Sequence, residues 1–163
     1  MSLQKILASS CCILLLAGSS FCHAEEATKD NHYLITPSQM KWVKAPDSLP
    51  SGAMATVLEG DPSKEGPFTL RFKMPANYKI PPHFHPAIEH VTVISGQMAL
   101  GMGDKFDLKS ATRLPAGSFF YMEPGMHHYA YTKVPTVIQL HGMGPWGITY
   151  IDPKDDPRNK GKE

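Results

Sequence analysis

In His83-Phe84-His85 two imidazoles stand two residues apart, so on an extended segment both project from one face and can reach a single ion. Pro86 and Ala87 then interrupt the strand, and Glu89 opens a new extended run with Val91 and Val93 on its own face. A carboxylate at the edge of such an apolar wall stays ionised only beside a cation or several hydrogen-bond donors. A metal ion held by His83 and His85 would be that cation. Farther along, Gly125-Met126-His127-His128 brings a second pair of histidines to the start of a later strand. Only one of them can share a face with Ala130 and Thr132, and parity alone does not say which of the two would meet a metal.

Other polar residues fall outside this cluster. His90 sits beside Glu89 and points to the opposite face of a regular strand, so it reads as a surface or dimer-contact histidine. Gln139 and His141 share a face on Thr136 to His141 and are candidate substrate or ligand-supporting contacts if that strand lines a barrel. Arg71 falls with Thr69 and Lys73 on a polar face and is expected in solvent. Met98, Leu100 and Met102 share a face expected in the core, while Phe84, Tyr121 and Trp146 are candidates to wall a pocket.

The elements that must carry these residues are strands. Short apolar runs recur between Pro, Gly, Asp and Asn clusters from Leu34 onward, with no sustained helical periodicity. The clearest is Phe68 to Met74, where Phe68, Leu70, Phe72 and Met74 alternate with polar Thr69, Arg71 and Lys73. Further strands are expected at 55–58, 90–94, 98–102, 118–122, 128–132, 136–141 and 148–151. Such a series predicts an all-β single domain, a sandwich or barrel. Residues 46–52 and 60–67 read as loops.

The spacing of these residues resembles that of the cupin superfamily, the RmlC-like barrels. Its first motif, H-x-H, three or four residues, E, six residues, G, is matched by His83, His85, Glu89 and Gly96. Its second, G, five residues, P-x-G, two residues, H, three residues, N, is matched by Gly117, Gly125 and His128, which selects His128 over His127. Three positions depart: Asn77 replaces the glycine that opens the first motif, Glu123 the proline of the second, and Thr132 its asparagine. Stretches such as Gly66-Pro67-Phe68, Ile80-Pro81-Pro82-His83 and Leu114-Pro115-Ala116-Gly117 are similar to those of small exported bacterial cupins. The resemblance implies a cupin-type β-barrel, the double-stranded β-helix or jelly roll, over residues 34–153. It also implies a metal held by His83, His85, Glu89 and His128, and pairing of chains into homodimers through outer strand faces.

Ahead of the domain, Lys5 precedes an apolar run from Ile6 to Leu16, and small residues lead to Ala24 before Glu25-Glu26. This is the layout of a signal peptide over residues 1–24, followed by a polar arm over 25–33. Export to the periplasm or medium is expected, with no stable membrane anchor after cleavage. Cys11, Cys12 and Cys22 all fall in that leader. Lipid attachment at Cys22 is disfavoured by bulky Phe21 before it, and the remaining chain has no thiol. Only Lys5 of the 16 basic residues lies in the leader, so 15 basic residues face 15 acidic ones, mixed along the chain. Nucleic acid is not an expected partner. Residues 154–163 read as a charged flexible tail.

Three imidazoles and one carboxylate suit one divalent transition metal, Mn, Fe, Co, Ni, Cu or Zn, with positions open to water, dioxygen or a small-molecule ligand. Such a centre is compatible with three functions: a dioxygenase-like metalloenzyme, a non-catalytic metal- or ligand-binding or sensing module, and an oxygen-independent isomerase, lyase or hydrolase. In the third, Glu123 or His141 would handle protons.

Overall fold

The computed structural model describes residues 32–160. The expected leader, its cysteines, most of the N-terminal arm and residues 161–163 lie outside them. Among the described residues eleven strands form: β1 (Val43–Lys44), β2 (Met54–Glu59), β3 (Gly66–Met74), β4 (Tyr78–Phe84), β5 (Glu89–Ser95), β6 (Gln97–Met102), β7 (Thr112–Pro115), β8 (Phe119–Met122), β9 (His128–Thr132), β10 (Thr136–Gly144) and β11 (Thr149–Tyr150).

Pairing is nested. β6 pairs with β7, β5 with β8, β4 with β9 and β3 with β10, all antiparallel, as if one long hairpin had been rolled up. Successive layers of that hairpin alternate between two sheets, ordered β1-β2-β3-β10-β5-β8 and β11-β4-β9-β6-β7. This is the all-β jelly roll expected, and its interior lies between the sheets. Phe68, Leu70, Phe72 and Met74 of β3 are each at most 5% exposed, so the alternation read there does set the buried face. Val91 and Val93 of β5 and Ile138 and Leu140 of β10 extend that wall. Ile80, Met98, Ala130 and Tyr150 close it from the second sheet.

β4 extends the sequence-based expectation, which reads only His83-Phe84-His85 as extended chain, back to Tyr78 through Pro81-Pro82. The prolines have no N–H to offer, and the register of β4 on β9 shifts between Ile80 and His83. Tyr78 and Ile80 face the interior, and regular alternation would turn Pro82 and Phe84 inward and His83 out. Across the shift Pro82 and His83 are both buried, and it is His83 that lines the space between the sheets.

Some expectations fail on alternation. Met98 and Leu100 are buried, but Met102, at the end of β6, is 48% exposed. Arg71 does lie on the outer face, yet it is half-buried, donating from Nε to Gln139 Oε1 at 3.0 Å and contacting Met40. In the segment expected as a charged tail, Pro153–Asp155 and Pro157–Asn159 form 3-10 turns. Each starts at a proline, with the preceding Asp152 or Asp156 carboxylate accepting a backbone N–H. Arg158 also donates to Ile148 O at 3.2 Å. Among the described residues no helix is long and apolar enough to cross a membrane.

Candidate metal centre

The nested pairing brings the end of β4, the start of β5 and the start of β9 to one end of the barrel. His83 and His128 are direct cross-strand neighbours, with ring centroids 4.2 Å apart. His85 lies just past β4, its ring 5.0 Å from His83 and 5.2 Å from His128. The N–H of Gly125 donates to His85 O at 2.9 Å, so the turn before β9 is tied to the loop after β4. All three histidines are at most 3% exposed, and each offers a ring nitrogen within 4.8 Å of the others.

Their hydrogen bonds fix which nitrogen that is. His83 Nδ1 lies 2.7 Å from Pro81 O, His85 Nδ1 2.6 Å from Gly147 O, and His128 Nδ1 2.9 Å from Met126 O. A carbonyl can only accept, so each Nδ1 carries the proton and each Nε2 presents a lone pair. His85 Nε2 is buried with no hydrogen-bond partner. Burial, reinforced by the neighbouring imidazoles, holds His83 well below its ordinary pKa. Burial also lowers His85, against the opposing pull of Glu89. Buried lone pairs on neutral rings, aimed together with no donor to receive them, are what a metal site requires.

Glu89 is 6% exposed, with Oε1 3.5 Å from His85 Nε2 and Oε2 3.4 Å from His128 Nε2. No protein cation comes equally near in the cavity. The donor set of three imidazole nitrogens and one carboxylate therefore fits a divalent ion, whose charge would compensate Glu89.

The cluster borders a cavity of about 230 Å³ between the sheets. Leu70, Phe72, Met98, Ile138 and Leu140 form much of its wall. Trp146 lines it as well, its ring 4.4 Å from that of His85 and nearly parallel to it, at 19°. The 46–52 loop also lines it, contributing Pro46, Ser48 and Leu49. Tyr150 donates to Ser48 O at 2.8 Å and Tyr78 to Pro50 O, so two hydroxyls rooted in the second sheet hold that loop down. Burial raises the pKa of both phenols, which keeps them protonated donors.

The remaining candidates lie elsewhere. His141 faces away from the cavity, because Ile138 and Leu140 take the inward positions of β10, and with it Gln139 faces outward. His141 instead stacks on His90 across the β10–β5 pair, centroids 4.9 Å apart. Glu123 is exposed in the turn before β9 and does not line the cavity. His127 pairs with Asp104 at 2.6 Å, and Phe84 stacks on His127. Tyr121 is 56% exposed. Of the three aromatic pocket candidates only Trp146 lines the cavity. The Gly147 carbonyl, which orients His85, left no trace in the sequence, since any residue type supplies one.

No curated protein matches the chain. Among solved structures, the polyketide cyclase RemF from Streptomyces resistomycificus superimposes with a TM-score of 0.62 at 16% identity, over 81% of this chain and 94% of that one. An acetylacetone dioxygenase from Acinetobacter johnsonii gives 0.58 at 18% identity, over 81% and 85%. An RmlC-like cupin from Shewanella frigidimarina gives 0.54 at 12%, over 69% and 90%. At these identities the likeness is one of fold. The family model for the ChrR cupin-like domain matches residues 30–146, a span that includes every strand from β1 to β10 and all the residues of the His83–His85–Glu89–His128 cluster, and the chain belongs to that family of cupins.

Proposed function

We propose that this chain is an exported cupin that holds one divalent transition metal through His83, His85, Glu89 and His128 and oxidises a small organic molecule with dioxygen. The observation that carries the reading is the convergence of three Nε2 lone pairs and a buried carboxylate on the inner wall of an apolar cavity. A bound ion of this class supplies Lewis acidity and, where redox-active, one-electron chemistry. The chain's own contributions are distinct. Pro81, Gly147 and Met126 carbonyls hold the imidazoles in the metal-binding tautomer. The hydrocarbon wall orders a substrate and excludes water from it.

Apart from the cluster itself, no acid or base among the described residues lines the cavity. Glu123 and His141 face away, so an isomerase, lyase or hydrolase that depends on either for proton transfer loses its proton carrier. Oxygen chemistry at the ion needs no such group. The fold accommodates it elsewhere, as the Acinetobacter johnsonii acetylacetone dioxygenase illustrates. The same lack of an acid or base also favours a second reading, a binding or sensing module that takes up a ligand without turnover.

Purification without affinity histidines or added metal, followed by elemental mass spectrometry, tests the centre. The wild type should carry about one ion per chain, and Glu89→Gln and His128→Ala should lose it. Oxygen uptake with chelating acids or phenolics then separates the two readings. Ligand binding without oxygen uptake under a redox-active metal would select the binding module, and a chain that takes up no added metal would end both.

A further inference from the structure

We propose that the molecule received by this cavity is small and predominantly apolar, presents one ionisable oxygen at the metal cluster and bears no second charge. The inference rests on the metal-dependent reading above and adds to it the chemical class of the ligand.

Charge is the first constraint. Three neutral imidazoles, one carboxylate and a divalent ion sum to a single positive charge, which one anionic oxygen cancels. A second anionic group would have to lie along the cavity wall. Among the described residues no lysine or arginine lines that wall. The basic residues of the nearest strands are turned outward and engaged there. Arg71 is bonded to Gln139 on the outer face, Lys73 lies 4.0 Å above the Trp42 ring, and Lys79 lies 5.1 Å above that of Phe106. A second charge buried against Leu70, Met98 and Leu140 would therefore be stripped of water with no basic side chain to pair with it. The polar groups of the lining outside the cluster are neutral, the Ser48 and Ser63 hydroxyls and the unpartnered Trp146 indole N–H.

Size is the second constraint. A dry apolar cavity of about 150 Å³ holds benzene. By the same proportion, the cavity of about 230 Å³ admits a molecule of at most about nine non-hydrogen atoms. The 46–52 loop, held by Tyr78 and Tyr150, bounds the cavity with Pro46 and Leu49 and opposes extension of a longer chain on that side.

Two 2-oxoacids of similar size make the test, because they offer the same chelating head and differ in the tail. 2-Oxohexanoate ends in a hydrocarbon chain, and 2-oxoglutarate ends in a second carboxylate. The protein is stripped of metal and titrated with zinc, then each acid is titrated into the zinc-loaded protein. Trp146, beside His85 on the cavity wall, reports binding by fluorescence in a Trp42→Phe variant. Calorimetry on the unaltered chain reads the same comparison independently. 2-Oxohexanoate should bind at least about tenfold more tightly than 2-oxoglutarate, and neither should bind without zinc. Zinc uptake with equal or tighter binding of 2-oxoglutarate overturns the ligand class and leaves the metal centre standing. Zinc uptake with no binding of either acid overturns it likewise. Failure of zinc itself to bind takes down the metal-dependent reading and this inference together.

Discussion

Asn77 has φ of 60°, the left-handed conformation that glycine accepts and most side chains resist. It stands where the cupin motif carries a glycine, and its short amide is the kind of side chain that tolerates the geometry. The motif is thus kept in conformation where it is lost in letter. Tyr131 also donates to Asn77 Oδ1 at 2.6 Å. Asn77→Ala should destabilise by about 1–2 kcal/mol and Asn77→Gly by less, in denaturant titrations. Equal losses would mean that the hydroxyl bond, and not the backbone, explains the residue. Thr132, the other substituted motif position on β9, is 1% exposed and donates to Pro75 O at 2.7 Å. Thr132→Val keeps the shape and removes the donor, so it should cost about 1–3 kcal/mol while metal content stays at the wild-type level. Loss of metal in that variant would show that Thr132 also helps to hold His128 in place.

Strands are legible where alternation is simple and hidden where the backbone breaks step. The one-sided apolar face of β3 can be read directly, and β9 occupies the same residues that the sequence predicts for it. Only the end of β4 is legible, as the extended His83-Phe84-His85, because the twin prolines ahead of it are an irregularity within the strand that alternation does not reveal. The pairing of His83 with His85 is legible nevertheless, since two residues of extended chain keep one face whatever precedes them. For β10 the sequence shows two faces but not which is inner, and Gln139 and His141 lie on the outer one. Loop 46–52 can be recognised as a loop, yet its attachment depends on Tyr78 and Tyr150, far away in sequence. Tyr150→Phe should leave Ser48 O without its donor and cost about 1–2 kcal/mol. Its local signature should be faster hydrogen exchange at the Leu49 amide, which bonds to Pro46 O within the loop. Exchange unchanged at Leu49 would show that the hydroxyl does not hold the loop.

The buried histidines of the candidate metal centre also bear on the stability of the whole chain through their protons. Folding buries His83 and His85 with their pKa values lowered from 6.5, so the unfolded chain binds protons more readily than the folded one. Stability contributed by these groups is fully present above the unfolded value and declines as pH falls through it toward the lowered folded values. The metal-free protein should therefore hold a constant urea midpoint between about pH 7.5 and 8.5 and lose midpoint steadily below about pH 6.5. His83→Asn removes one of these groups and should flatten the decline. Zinc adds a second dependence of the same sign, because it binds only the folded arrangement of neutral rings and competes with the same protons. At about pH 7.5 zinc should raise the midpoint, and the gain should shrink toward zero by about pH 5. In His83→Asn the zinc gain should be largely lost at every pH. A zinc gain that persisted undiminished in acid would place the ion on carboxylates away from the barrel, because an ion held by imidazoles must yield to protons as they titrate.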